Sequence, residues 1–161
     1  LIGAPGAGKS TVGALLAETL TIEFADTDSI IEKRLGMQIS DIFIQKSEEY
    51  FRQIEKEVVL ELLQTAHGVL SLGGGSVLDL QVQKALVEHY VVWLHIPLAD
   101  AVERVGMSQA RPLLLGNVRG NMKKLLEERN HIYNRVASLK VEATMSPETI
   151  VRTIIPNLQV N

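Results

Sequence analysis

The sequence predicts an α/β fold in which helices cover both faces of a central, mainly five-stranded parallel sheet, giving three layers. Short apolar runs alternate along the chain with segments in which apolar residues recur at helical spacing, and this alternation is typical of a parallel sheet. A glycine-rich segment near the start also stands between an apolar run and such a helical segment. The expected strands are residues 23–25, 69–72, 90–96 and 139–141, with residues 1–2 as the end of the first strand.

Length and composition indicate one domain that spans residues 1–161. The chain contains no cysteine, which excludes thiolate metal sites and cysteine nucleophiles. The formal net charge of -3 gives no basic surface for nucleic acid. No apolar run approaches the roughly 18 residues that would suggest a membrane span. We therefore expect a cytoplasmic monomer with small-molecule partners and no nucleic-acid or membrane partner, whose natural chain begins upstream of Leu1.

The most specific motif is a complete match to the pattern G-x-x-x-x-G-K-[ST] at the end of the first strand. It comprises Gly3, Ala4, Pro5, Gly6, Ala7, Gly8, Lys9, Ser10 and Thr11. Glycines here let the backbone curl so that several N–H groups face a triphosphate, and the start of the next helix adds positive charge. Lys9 can then reach the β- and γ-phosphates, and the Ser10 hydroxyl can bind Mg²⁺. The pattern predicts a phosphate-binding loop (P-loop) that leads into a helix.

Two aspartates, Asp26 and Asp28, follow the second predicted strand. Because ligands bind beyond the carboxyl ends of parallel strands, both are candidates for the site. If strand geometry continues to Asp28, the two carboxylates face the same side, where one could hold magnesium and the other could position an acceptor hydroxyl and take its proton. The alternative is that Asp28 or Ser29 only caps the next helix, with Glu32 completing a capping box.

Three glycines, Gly73, Gly74 and Gly75, follow the third predicted strand. A backbone without side chains can approach a ligand closely, and its N–H groups can bind an anion or a hydroxyl. The alternative is an ordinary turn into the next helix.

Two arginines are candidates for anion binding. Arg129 falls inside the apolar stripe of a long predicted helix, so its guanidinium has to meet an anion there, since an unpaired buried charge is costly. That anion is either a carboxylate of the protein or one of a ligand, and the sequence does not decide between them. Arg52 flanks another apolar stripe, and its alternative role is an exposed ion pair with Glu48.

The least regular segment, from Gly106 to Asn117, contains Arg111 and Pro112 and is a candidate lid over a nucleotide. Other chemistries find no support in the sequence. The four histidines lie too far apart for a helical metal pair. The chain also lacks an Asn-Lys-x-Asp pattern for a guanine base and the Gly-x-Ser-x-Gly pattern of acyl-transfer nucleophiles.

Taken in order, these motifs resemble those of the shikimate kinases, small P-loop kinases of the nucleoside monophosphate kinase fold, and the resemblance spans essentially the whole chain. It is carried by Gly3 to Thr11, Asp26-Thr27-Asp28 with Ile31-Glu32, Phe51-Arg52-x-x-Glu55, Gly73-Gly74-Gly75, Arg111-Pro112-Leu113-Leu114 and Arg129-x-x-x-Tyr133. One departure is His131, where many members of the family have proline. The resemblance implies a three-layer P-loop NTPase fold with a lid loop.

The resemblance also implies an activity, which is transfer of the γ-phosphoryl group of ATP to the 3-hydroxyl of shikimate in aromatic amino acid biosynthesis. By the same resemblance, Asp28 would orient the acceptor hydroxyl and accept its proton. Lys9 and Arg111 would neutralise charge on the transferring group. Ser10 and Asp26 would support the cofactor Mg²⁺.

The substrate-binding residues follow from the same resemblance. ATP would be held by the P-loop together with Arg104, Arg111 and Pro147, and the family places Arg104 and Pro147 beside adenine. The acceptor-binding helices would span about residues 27–67 and the lid about residues 106–117. The residues implied for shikimate are Asp28, Arg52, Glu55, Gly73, Gly74, Gly75, Arg129, Phe43, Phe51 and Pro112. Within that set, the two arginines would clamp the carboxylate of shikimate, and the two phenylalanines with the proline would form an apolar wall.

Two other functions compete with this expectation. A kinase for another small hydroxy acid, such as gluconate, could use the same P-loop and lid, although three successive glycines and two arginines argue against it. A catalytically silent nucleotide-binding module is the alternative from another class. For such a module we would expect Lys9, Asp28 or Arg111 to be replaced, and none of them is.

Overall fold

The structure is a computed structural model that describes residues 1–106 and 116–158. Its helices and strands alternate as the sequence predicts. In chain order they are α1 (Lys9–Leu20), β1 (Glu23–Asp26), α2 (Thr27–Leu35), α3 (Ile39–Gln45), α4 (Glu48–Thr65), β2 (Gly68–Ser71), α5 (Leu80–Ala85), β3 (Val92–His95), α6 (Leu98–Gly106), α7 (Val118–Val136), β4 (Leu139–Glu142) and α8 (Pro147–Leu158). Two short 3-10 helices, Ser76–Leu78 and Leu86–Glu88, flank α5.

The strands form two parallel pairs that the first residues of the chain join. β1 pairs with β2, with Glu23 opposite Gly68, and β3 pairs with β4, with Val92 opposite Leu139. Leu1 and Ile2 run between β2 and β3: the Leu72 N–H donates to Leu1 O at 3.0 Å, and the Leu94 N–H donates to Ile2 O at 2.9 Å. All four predicted strands are therefore present and parallel, and residues 1–2 occupy the central position.

Side chains alternate between the two faces of this sheet, as the two-residue period of a strand requires. On β3, Val92 and Leu94 pack with α1, α6 and α8 on one face, whereas Trp93 packs with α4, α5 and α7 on the other. A third apolar cluster, which includes Ile31 and Phe51, joins α2, α3 and α4 beside the sheet. The three layers of the predicted α/β fold are thus confirmed for the described residues. None of the helices within those residues is both long and apolar enough to cross a membrane.

The start of α2 differs from both sequence-based alternatives. The helix begins at Thr27, directly after β1, and its N-cap is Asp26, whose Oδ1 accepts from the N–H groups of Asp28 at 3.1 Å and Ser29 at 3.2 Å. The expectation of extended geometry as far as Asp28 is wrong, because Asp28 lies in the first helical turn. The predicted cap at Asp28 or Ser29 is also wrong, and the Glu32 carboxylate accepts from the Ile39 N–H instead.

A substitution at Leu94 tests how much the apolar core contributes to stability, because this side chain is completely buried between the sheet and the helices on one face. We expect Leu94→Ala to lower the free energy of unfolding by about 3 kcal/mol, through lost apolar burial and the cavity left behind. Leu80→Ala is the matched control, since Leu80 is 68% exposed and its truncation should cost less than about 0.5 kcal/mol. Chemical denaturation measures both, and equal losses would contradict this description of the core.

Candidate active site

The P-loop has the tightly curled backbone that its glycines permit. Gly6 and Gly8 adopt φ angles of 82° and 83°, in the left-handed region that disfavours side chains. A side chain at Gly3 would also collide with the backbone of β3, because its Cβ would lie 2.5 Å from Leu94 O. α1 starts at Lys9, so the loop ends at a helix N-terminus, as predicted.

Lys9 lies across this loop. Its Nζ donates to the carbonyl oxygens of Gly3 at 2.9 Å and Ala4 at 3.2 Å. The ammonium group is therefore already placed over the loop in which phosphates are expected to lie. A phosphate oxygen would compete with these carbonyls as the acceptor of its protons.

Ser10 and Asp26 lie side by side at the carboxyl edge of the sheet. The Ser10 hydroxyl donates to Asp26 Oδ2 at 2.5 Å, while Asp26 Oδ1 caps α2. This pair offers two hard oxygen ligands next to the P-loop. That donor set suits Mg²⁺ on a nucleotide, since this ion takes few protein ligands and keeps water and phosphate oxygens. Within residues 1–106 and 116–158 there is no cluster of three or more His, Cys, Asp or Glu side chains that could hold a metal on its own.

In the loop after β2, several backbone N–H and C=O groups already form hydrogen bonds within the protein. The Gly73 N–H donates to Thr27 Oγ1 at 2.9 Å, and the Ser76 N–H donates to Gly73 O at 3.0 Å. The Tyr133 hydroxyl donates to Gly74 O at 2.5 Å. The N–H groups of Gly74 and Gly75 have no acceptor among the residues that the structure describes. Two N–H groups, rather than three, are thus available to a ligand.

The same loop lies against the charged side chains that the sequence singled out. A Cβ at Gly73 would overlap Glu55 Oε1 and would lie 2.7 Å from Asp28 Oδ1. A Cβ at Gly75 would overlap the guanidinium of Arg52, and one at Gly74 would lie 3.6 Å from Arg129 Nη1. Asp28, Arg52, Glu55 and Arg129 therefore converge on the three glycines, which are required for this close approach.

Arg52 is fixed by two carboxylates. Its Nη1 contacts Glu55 Oε2 at 2.6 Å, and its Nη2 contacts Glu48 Oε1 at 3.3 Å. Glu55 is only 2% exposed and also accepts from the Ser76 hydroxyl at 3.0 Å. The ion pair with Glu48 that the sequence offered as the alternative role of Arg52 is thus present. Arg52 also makes a shorter contact with the buried Glu55.

Arg129 has a different environment. It is 6% exposed on α7, as its place in the apolar stripe predicts, yet it forms no ion pair with any carboxylate of the described residues. Its Nε has no hydrogen-bond partner there. Tyr133, one turn further along α7, is fully buried, and burial raises its pKa to about 12 although Arg129 opposes the shift. No described carboxylate lies within ion-pair distance of Arg129, and the carboxylate of a ligand stays a prediction.

The remaining predicted residues lie around this centre. Arg104 Nη1 donates to Gly6 O at 3.3 Å, which places it beside the P-loop. Pro147 is the first residue of α8, after β4. The rings of Phe43 and Phe51 are 4.9 Å apart at the edge of the third apolar cluster. Arg111 and Pro112 lie outside the described residues. His131 is exposed on α7, whereas Arg129 and Tyr133 are buried.

Three residues of the site were not predicted in their present roles. The sequence identifies Thr27 and Tyr133 only as members of motifs, and it does not identify Ser76. Thr27 and Tyr133 each use a hydroxyl to bind the loop of Gly73, Gly74 and Gly75, called the glycine loop below, and Ser76 uses its hydroxyl to bind Glu55. Ser76 stands directly beside the glycine run, and Tyr133 lies one turn from an arginine that the sequence places inward, so both carry a local signal, whereas Thr27 carries none.

Comparison with known proteins matches this geometry to one family. A family model described as shikimate kinase matches residues 5–159. The shikimate kinase of Thermobifida fusca is 49% identical over 159 residues, covering 98% of this chain and 92% of the relative. The enzyme of Mycobacterium tuberculosis is 44% identical over 162 residues, with 99% and 92% covered.

A solved structure gives the same result. The shikimate kinase of Acinetobacter baumannii, in complex with shikimate, superposes with a TM-score of 0.93 at 32% identity, covering 99% of this chain and 93% of that one. These matches extend over nearly the full length of the chain. Their sequence identities are also well above the level at which only a shared fold can be inferred. The chain therefore belongs to the shikimate kinase family.

Proposed function

We propose that this protein transfers the γ-phosphoryl group of ATP to the 3-hydroxyl of shikimate, giving shikimate 3-phosphate and ADP on the route to chorismate and the aromatic amino acids. The observation that carries the proposal is the buried guanidinium of Arg129. It pairs with no carboxylate of residues 1–106 and 116–158, and it lies beside a loop with two N–H groups open to a ligand. An acceptor with one carboxylate and several hydroxyls supplies the missing partners.

The position of this acceptor site supports transfer from ATP. A Cβ at Gly74 would lie 3.1 Å from Gly3 O and 3.3 Å from Pro5 Cδ, so the glycine loop touches the P-loop. An acceptor held by the glycine loop is therefore next to a nucleotide held by the P-loop. Such proximity is the main requirement of phosphoryl transfer, in which the protein positions the reactants and stabilises charge.

The acceptor would bind through its carboxylate first. Arg129 supplies a positive charge that no carboxylate of the described residues balances, whereas Arg52 already pairs with Glu48 and Glu55. The N–H groups of Gly74 and Gly75 would then receive hydroxyl or carboxylate oxygens. Phe43 and Phe51, with Pro112, would complete an apolar wall against the ring.

Transfer itself would rely on Asp28, Lys9 and Arg111. Asp28 lies beside Gly73 in the first turn of α2 and would orient the 3-hydroxyl and accept its proton. The Lys9 ammonium group would donate to phosphate oxygens in place of the loop carbonyls. Arg111, in the lid, would neutralise negative charge on the transferring phosphoryl group. Arg104 and Pro147 would border the adenine. Ser10 and Asp26 would hold Mg²⁺, which supplies positive charge to the phosphate oxygens when bound.

Coupled measurement of ADP release tests the reaction. We expect release from Mg²⁺ and ATP to increase strongly when shikimate is added, because the acceptor completes the site. Gluconate serves as the control acceptor and should have no effect. Stimulation by gluconate alone would favour the other kinase, and nucleotide binding without stimulation by either acceptor would favour the silent module.

Asp28→Asn tests the proton acceptor. The amide keeps the size of the side chain but cannot take the proton, so we expect kcat to fall by a factor on the order of 10² to 10⁴. The dissociation constant for ATP, measured by calorimetry, should stay within about twofold, since the P-loop is unchanged. Asp41→Asn, elsewhere in the acceptor-binding helices, is the control. Unchanged turnover in Asp28→Asn would remove Asp28 from the chemistry.

Arg129→Ala separates a ligand-binding charge from a structural one. Loss of a charged partner should raise the KM for shikimate by about 10- to 100-fold. The melting temperature should hold or rise, because the variant removes a buried charge that no described carboxylate compensates. Arg152→Ala, at an exposed position of α8, should change neither quantity. A lower melting temperature with normal shikimate affinity would instead mean that Arg129 pairs within the protein.

A further inference from the structure

The backbone of the glycine loop is held at each of three successive peptide units. Thr27 Oγ1 accepts from the Gly73 N–H, which fixes the peptide between Leu72 and Gly73. The Ser76 N–H donates to Gly73 O and fixes the next peptide. The Tyr133 hydroxyl donates to Gly74 O and fixes the third. Glycine has the widest backbone freedom of all residues, so without these bonds the loop would sample many conformations.

Each anchor also sets the direction of a neighbouring donor. In a trans peptide the N–H points opposite to the C=O of the same unit. The bond from Tyr133 to Gly74 O therefore directs the Gly75 N–H away from α7. Donation to the carbonyl also polarises the peptide and makes that N–H a better donor. Gly75 is buried, and its N–H has no acceptor among the described residues, so it is held ready for a ligand.

Both side-chain anchors are suited to a fixed role. Thr27 and Tyr133 are each 0% exposed, so water does not compete for their hydroxyls. A tyrosine hydroxyl is protonated at neutral pH in any case, and burial raises the pKa of Tyr133 further, to about 12, so it remains a donor. Its ring packs 5.9 Å from the ring of Trp93, which restricts the side chain. Because Tyr133 follows Arg129 by one helical turn, it also couples the glycine loop to the helix that carries the buried cation.

We infer that Thr27 and Tyr133 are positioning residues for the acceptor, which hold the glycine loop so that the N–H groups of Gly74 and Gly75 and the Arg129 guanidinium meet the same substrate. This inference rests on the proposed function. The two residues do not touch the reacting atoms; they set the affinity for the acceptor by keeping its donors in place, and donors that are already ordered bind with a smaller entropic cost.

Tyr133→Phe and Thr27→Val each remove one hydroxyl while keeping the shape of the side chain. We expect each to raise the KM and the calorimetric dissociation constant for shikimate about tenfold, as lost buried hydrogen bonds of this kind do. The KM for ATP should change less than about twofold, because the P-loop keeps its own bonds. Thr27→Ser retains the hydroxyl and should bind shikimate like the parent protein. Tyr90→Phe and Thr153→Val, at sites away from the loop, are the matched controls.

The outcomes separate the inference from the function beneath it. If the parent protein shows no shikimate-dependent release of ADP, the proposed function fails. If it does, and both variants bind shikimate normally, the inference is overturned. It is equally overturned if the KM for ATP rises together with that for shikimate and the melting temperature falls, since that pattern reports a general loss of structure. If Tyr133→Phe does not fold, the comparison of Thr27→Val with Thr27→Ser decides alone.

Discussion

The cost of burying charge governs the arrangement of this site. Two arginines lie near the glycine loop, but their environments differ. Arg52 has Glu55 at 2.6 Å and Glu48 at 3.3 Å, so its charge is balanced in the folded chain. Arg129 is 6% exposed and pairs with no carboxylate in residues 1–106 or 116–158. Burying a cation without a carboxylate partner is unfavourable, so we expect the fold to favour anion binding at Arg129 rather than at both arginines.

The order of the strands explains why the P-loop and the glycine loop meet. Leu1 and Ile2 lead into the P-loop, and β2 leads into the glycine loop. These two segments are neighbours in the sheet, because the Leu72 N–H donates to Leu1 O. In a parallel sheet the loops that follow neighbouring strands emerge at the same edge. The contact between the two loops is therefore a consequence of topology, and the side chains only refine it.

The sequence predicts the strands and the inward position of Arg129 well, because both depend on local periodicity. The four predicted strands lie within about two residues of those found, and Arg129 is buried as its helical spacing requires. The start of α2 could not be predicted, since Asp26 ends a strand and caps a helix at once. The hydrogen bonds of Thr27 and Tyr133 with the glycine loop join segments far apart in the chain. A local pattern can mark such a residue as a candidate, but it does not encode its partner.

If the acceptor binds the N–H groups of Gly74 and Gly75, as we propose, the rigidity of the glycine loop affects which acceptors bind. Long polar side chains lose rotamer freedom when they bind, whereas the N–H groups of Gly74 and Gly75 belong to peptides that are already held. Two fixed N–H donors beside the buried guanidinium of Arg129 would favour a ligand whose carboxylate and hydroxyls are spaced to reach all three groups at once. A flexible hydroxy acid would have to give up its own conformational freedom on binding. A rigid ring with a carboxylate would give up the least, so we expect a loop held in this way to favour an acceptor of the shikimate type.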